Sequence, residues 1–389
     1  MKELMESAGR LDAFLRRIRR EIHSNPELSG EEKETAALIV RELEACGGFQ
    51  IRRNVAGYGV IAELEGGKPG AVIALRADTD ALPVAEETGL EFSSRNPGKM
   101  HACGHDLHTA MLLGAAKLLV ERRPELKGTV RFLFQPAEED PALGGSKAMI
   151  EAGALDGVSA IFGMHVWPEF PSGVFAIRPG EMMAAADHFA VVIKGKSAHG
   201  AQPHLGNDAL LAGCQFVQAV QTVVSRNVDP FDAAVITVGE FSSGTTYNVL
   251  AEECRMEGTV RTYSPEVRDL VHERMKEVLA GICLALGCTG ELINISSHPA
   301  VINDKTLTEH CLHAAEGIFG KENVLVPDRP TSISEDFSWY GRKVPSVFGF
   351  IGASKQGQPA WPLHSCHLSP DEDVMVKGAA MYAAFALGI

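Results

Sequence analysis

The chain has 389 residues, 45% of them hydrophobic and 22% charged, a balance that excludes a disordered, collagen-like or low-complexity protein and leaves room for two domains. Lys and Arg number 36 against 50 for Asp and Glu, and the resulting net charge of −14 opposes binding to nucleic acid or to anionic membrane surfaces. No stretch approaches the ~18 consecutive apolar residues of a membrane span. The first residues lack the apolar core of a signal peptide, and eight cysteines without a CxxC pair fit reduced thiols, so a cytoplasmic location is expected.

Near the start, Leu11, Leu15, Ile18 and Ile22 recur at helical spacing, and Ser29-Gly-Glu-Glu32 reads as a capping box opening a second helix over Ser29 to Cys46. Short apolar or β-branched runs follow at Gly59 to Leu64, Ala71 to Leu75, Thr129 to Phe134 and Ala160 to Met164. Helical patterns at His108 to Glu121 and Ser146 to Ala152 lie between them, which predicts an α/β sheet with helices on both faces. Asp78, the pair Glu138 and Glu139, and His165 stand at the ends of these runs. Ligands bind beyond the carboxyl ends of strands in open α/β sheets, so these points are expected to converge.

From about Met183 the texture changes. A strand at His188 to Gly195, a helix at Asn207 to Arg226, strands at Ala233 to Phe241 and Asn248 to Thr262, a helix at Pro265 to Leu286 and a strand at Glu291 to Ser296 compose a split βαβ-type α+β unit. It reads as an insert over 184–293, while the helix Asp304 to Phe319, the strand Val344 to Ile351 and the helix Asp371 to Leu387 return the chain to the first domain, 1–183 and 294–389.

His101-Ala-Cys-Gly-His-Asp-Leu-His108 gathers three His, one Cys and one Asp, and neutral imidazole and thiolate are ligands for zinc and similar ions. In Gln135-Pro-Ala-Glu-Glu139 two adjacent carboxylates repel unless a cation joins them; one can ligate while the other takes a proton from water. His165 ends a strand, and in Trp361-Pro-Leu-His-Ser-Cys-His367 the spacing does not choose among His364, Cys366 and His367. In the insert, Gly195 to His204 presents two His, His199 and His204, on a small-residue turn without a carboxylate, where such a His suits an oxyanion donor. Arg261 is a strand cation able to clamp a carboxylate.

Together with Arg76-Ala-Asp-Thr-Asp-Ala-Leu-Pro83, Asn248-Val-Leu250 and Ser334-Glu-Asp-Phe337, these motifs resemble the M20 metallopeptidases, in particular the amidohydrolase branch of hippurate, indole-acetyl-amino-acid and N-acyl-amino-acid hydrolases. The resemblance implies a catalytic α/β domain with two divalent metal ions per subunit, zinc or manganese, and an inserted ferredoxin-like lid and dimerisation domain, hence a homodimer or higher oligomer. It implies Cys103, His105, Glu139, His165 and His364 as metal ligands, Glu138 as general base, His199 as an oxyanion donor that relatives supply from the partner subunit, and Asn248 and Arg261 as holders of the substrate carboxylate.

Arg76 stands where the carboxypeptidase cousins carry a ligand His, and Cys103 where they carry a bridging Asp. Leu107, Ala251 and Ser365-Cys-His-Leu368 depart from the branch's usual pattern without removing a ligand or the base. The expected activity is hydrolysis of an N-acyl amino acid; a dipeptidase or carboxypeptidase is the alternative. Glu138 beside the full ligand set argues against a non-catalytic metal binder.

Overall fold

The apolar runs of the N-terminal half fold as neighbouring strands of one eight-stranded sheet. The computed structural model describes residues 1–388. They fall into two units: Met1–Met182 with Ile302–Arg329 and the chain from Asp336 onward, and Met183–Val301 with Pro330–Glu335.

The strands are β1 (Gln50–Val55), β2 (Gly59–Glu65), β3 (Lys68–Asp78), β4 (Lys127–Gln135), β5 (Val158–Pro171), β6 (Phe175–Ala176), β7 (Gly180–Met183), β8 (Ala185–Lys194), β9 (Ala234–Ser243), β10 (Glu253–Thr262), β11 (Thr289–His298), β12 (Val301–Asn303), β13 (Val324–Leu325) and β14 (Ser346–Ser354). The helices are α1 (Lys2–Gly9), α2 (Asp12–His23), α3 (Lys33–Cys46), α4 (His105–Glu121), α5 (Gly145–Glu151), α6 (Ala209–Asn227), α7 (Pro265–Leu286), α8 (Lys305–Phe319), α9 (Ser338–Gly341) and α10 (Val374–Gly388).

The sheet of the first unit runs β1-β2-β4-β3-β5-β14-β6-β13, with β4, β3, β5 and β14 parallel to one another. Helices cover both faces, as expected for a parallel sheet. On β5 the Phe162 ring meets Tyr382 and Phe385 of α10, at centroid distances of 5.3 and 4.8 Å. The next residue, Gly163, points to the opposite face, where a Cβ would lie 2.9 Å from the Phe337 ring; only glycine allows that approach. α4 is buried on all sides from His105 to Ala116, as the interior helix of such a sandwich must be.

Three local expectations are corrected. Ser29 does not cap α3: its hydroxyl donates to Asp80 at 2.7 Å, and the Glu27 carboxylate accepts from the Glu34 and Thr35 N–H groups instead. A carboxylate reaching back from an earlier turn satisfies the same orphan donors, which local spacing does not reveal. α4 begins at His105 rather than His108, because Gly104 takes a left-handed conformation (φ 90°) and its carbonyl accepts from Leu107 and His108. The strand expected from Asn248 begins at Glu253; residues 244–252 form a loop whose backbone pairs with Ala198 and Gly200.

In the second unit the order β11-β8-β10-β9 is antiparallel throughout, and with α6 following β8 and α7 following β10 it has the βαββαβ ferredoxin-like plan. Phe189, Phe216, Val220, Met256 and Met275 form its core. Asp208 and Ser264 accept from the third helical N–H of α6 and α7, and Pro265 opens α7 where its missing N–H costs nothing. β11 pairs with β8 along its length to His298, so residue 294 lies inside a strand and the chain leaves this unit after Val301.

Candidate metal centre

Strand register brings the sequence motifs to one level. Asp78 pairs with Gln135, Arg76 with Gly163, and His165 with Phe350, so the carboxyl ends of β3 and β4 and the middle of β5 stand side by side. The start of α4 and the loop at His364 meet them there: the His364 N–H donates to the Ala102 carbonyl at 2.7 Å, and His364 itself has φ 68°. In each of three sets, Cys103 with His105 and His165, Cys103 with Glu139 and His364, and His105 with Glu138 and Glu139, one donor atom per residue lies within 4.8 Å of the others. Cys103, His105 and Glu139 each belong to two of the three sets, so the sets adjoin one another.

Hydrogen bonds fix which imidazole nitrogen faces the centre. His105 Nδ1 lies 3.0 Å from the Asp80 carbonyl and 3.1 Å from its carboxylate, both acceptors, so it carries the proton. Its Nε2 is buried without a hydrogen-bond partner, 3.8 Å from Glu139. A buried ring nitrogen without a partner is costly, and a cation at that point removes the cost; the residues present therefore fit a divalent metal. His165 repeats the pattern, with Nδ1 2.6 Å from the Val166 carbonyl and Nε2 3.4 Å from Cys103 Sγ. His108 differs: Nδ1 meets Asp78 at 2.6 Å, and Nε2 accepts the Val166 N–H at 2.9 Å, so it has no lone pair to offer.

The electrostatics of the protein alone are those of a site built for positive charge. Burial and the carboxylates of Glu139, Glu138 and Asp78 push the Cys103 thiol well above its ordinary value. Burial disfavours a charged His105, yet Asp78, Asp80 and Glu139 outweigh it and push its pKa up to about 10. Burial, with His108 beside it, holds His165 well below the usual range and so keeps it neutral. A bound cation reverses this logic by deprotonating the thiol and taking the imidazole lone pairs.

Around the donors lies a buried network that sequence reading left without roles. Asp80 accepts from His105, from the Glu139 N–H at 3.0 Å and from Ser29, tying two donor-bearing segments and the loop before α3 to one carboxylate. Arg76, which stands where the carboxypeptidase cousins carry a ligand His, donates to Gln135, Asp78 and Asp336. Asp336 accepts from Gln135 and the Ser146 N–H, and its own N–H donates to Glu138 Oε1 at 3.3 Å. The available signal was Asp80 and Asp336 within motifs already noted, but their partners are remote in sequence.

Among the remaining candidates, His199 and Asn248 come together within the second unit: His199 bridges Val249, and the Gly200 N–H donates to the Asn248 carbonyl at 2.7 Å. Arg261 is half-buried on β10, where burial pushes its guanidinium down, and it donates to the Thr259 hydroxyl and the Val260 carbonyl.

Thiol, imidazole and carboxylate donors converging at the strand ends of an α/β sheet define the class as a metal-dependent hydrolase. More narrowly, the chain belongs to the peptidase family M20/M25/M40, whose model matches residues 74–388. It is 43% identical over 362 residues to the N-acetyl-L-cysteine deacetylase of Bacillus subtilis (strain 168), covering 93% of this chain and 85% of that protein. It is 37% identical over 390 residues to thermostable carboxypeptidase 2 of Saccharolobus solfataricus, covering 100% and 98%. The Bacillus subtilis YXEP protein, a dinuclear metal-binding peptidase of the M20 family, superposes with a TM-score of 0.85 at 38% identity, covering 97% and 98% of the two chains.

Proposed function

We propose that this enzyme hydrolyses the amide bond of N-acyl amino acids, releasing a carboxylic acid and a free amino acid. The observation that carries the reading is the bare, buried Nε2 of His105 facing the Glu138 and Glu139 carboxylates. Cys103, His105, Glu139, His165 and His364 would hold two divalent ions, zinc or manganese, which when bound supply Lewis acidity toward the amide carbonyl and the attacking water.

The chain's own residues do the rest. Glu138 takes a proton from water as its oxygen bonds to the carbonyl carbon, then gives that proton to the amine nitrogen as the C–N bond breaks. His199 donates to the developing oxyanion. Asn248 and Arg261 hold the amino-acid carboxylate, Arg261 through its planar fork. The second unit acts as lid and dimerisation domain in a cytoplasmic homodimer or higher oligomer, with His199 supplied to the partner's site. Likeness to a deacetylase supports an acetyl or similarly small acyl group.

Likeness to a carboxypeptidase along the whole chain favours a second reading, cleavage of peptides. The deciding measurement is kcat/KM for an N-acetyl amino acid against the glycyl dipeptide of the same amino acid, with a chelated control. Preference for the acetylated compound is expected; preference for the dipeptide replaces this reading with the second.

A further inference from the structure

Two metal-binding side-chain types stand within three residues of His364 and outside the donor sets of the hydrolytic centre: Cys366 and His367. One donor atom from each, and one from Glu87, lie within 4.8 Å of one another. We propose that Glu87, Cys366 and His367 form a further divalent-cation site at the surface of the first unit, selective for zinc over manganese and magnesium. It stands independently of the hydrolytic reading.

The backbone holds the three residues in place. The Glu87 N–H donates to the Cys366 carbonyl at 2.9 Å, and the His367 N–H to the Ser365 hydroxyl at 3.2 Å. His367 Nδ1 is 3.1 Å from the Glu87 carbonyl oxygen, which only accepts, so Nδ1 carries the proton and Nε2 keeps its lone pair. That Nε2 faces Glu87 Oε2 at 3.6 Å, two acceptors across a gap that a cation fills. Trp361 packs on the imidazole with centroids 4.7 Å apart and limits its rotation.

Ordinary zinc bond lengths place tetrahedral donors roughly 3.3–3.6 Å apart. The Glu87 and His367 donors already stand at that spacing, 3.6 Å apart, and Glu87, whose side chain is 65% exposed, has room to turn toward the thiol. Water completes the fourth position. Zinc stands above manganese and magnesium in affinity for thiolate and imidazole, and an exposed site with a single carboxylate offers the harder ions too little oxygen to compensate. Zinc must also displace the thiol proton, so it protects Cys366 from alkylation.

The test uses the full-length enzyme with its hydrolytic centre loaded with manganese, alkylated by iodoacetamide with and without added zinc and read by peptide mapping. Exposed Cys214 serves as the internal control. Zinc at about ten times its dissociation constant is expected to slow labelling of Cys366 roughly tenfold, while manganese and magnesium leave it unchanged. Protection should be lost in His367→Ala and weakened in Glu87→Gln, an exposed position that keeps the test valid if the loop rearranges in the first variant. Metal analysis should find one more zinc per chain in the wild type than in Cys366→Ser. Labelling indifferent to zinc, or protection that survives His367→Ala, overturns the proposal.

Discussion

His105 has one ring nitrogen bonded to Asp80 and the other bare, and that asymmetry organises the donor cluster. Asp80→Ala removes the acceptor that fixes the tautomer and frees the Glu139 backbone, so metal affinity should fall about 10- to 100-fold, measured by competition with a chromogenic chelator. Glu138→Gln keeps the side-chain shape but not the base. Turnover should drop about 10²- to 10⁴-fold with metal content unchanged by elemental analysis; undiminished activity would remove Glu138 from the role of base. Both residues were visible in the sequence motifs. The division of labour between Asp80 and the donors was not, because it depends on contacts between segments far apart in the chain.

At the scale of elements, α4 is anchored by a buried charge cluster at its first turn. Arg19 of α2 donates to Asp106 at 2.9 Å and His23 Nδ1 lies 2.8 Å from the same oxygen, with the side chains of all three at most 1% exposed. An acid at a helix N-terminus is favourable in itself, but taking away one partner of a buried pair leaves the other charge stranded. Arg19→Met should therefore cost about 3–5 kcal/mol in urea unfolding.

The second unit has a counterpart in Asp187 of β8, fully buried and bound by Arg268 and His272 of α7. Burial opposes its charge, but those partners hold its pKa at about 2, below the ordinary value of 3.8. A carboxyl lowered by folding contributes stability that is present above about pH 4 and lost as pH falls through about 2. Asp187→Asn should lower stability at pH 7 by about 2 kcal/mol and flatten the acid limb between those values, seen by circular dichroism. An unchanged acid limb would show that the pair carries no linkage.

Taken whole, the chain has a net charge of −14, an unfavourable field for a substrate bearing a carboxylate. The proposed reaction therefore needs local positive charge, which bound metal and Arg261 would provide. Because only the folded protein presents the cluster, metal binding adds to stability by mass action. Metal at 100 times its dissociation constant should contribute about 2.7 kcal/mol, and chelation should lower the melting temperature accordingly. A melting curve indifferent to chelator would mean that the cluster holds no metal in solution.

Sequence alone determined the α/β sheet, because it is written in local pattern: apolar runs of strand length such as Ala160 to Met164 alternate with helical periodicity. It also exposed the donor-rich motifs, since Cys103, His105, Glu138 and Glu139 are chemically conspicuous at close spacing. Only the tertiary structure decided which nitrogen of each histidine faces the centre, that His108 is spent on Asp78 and the Val166 N–H, that Glu27 rather than Ser29 caps α3, and that Asp336 reaches Gln135 from the far end of the chain. Most of these are hydrogen bonds between segments far apart in the chain, and none leaves a periodic signal. Their choice of partner is fixed by strand register and burial, which exist only once the sheet has formed.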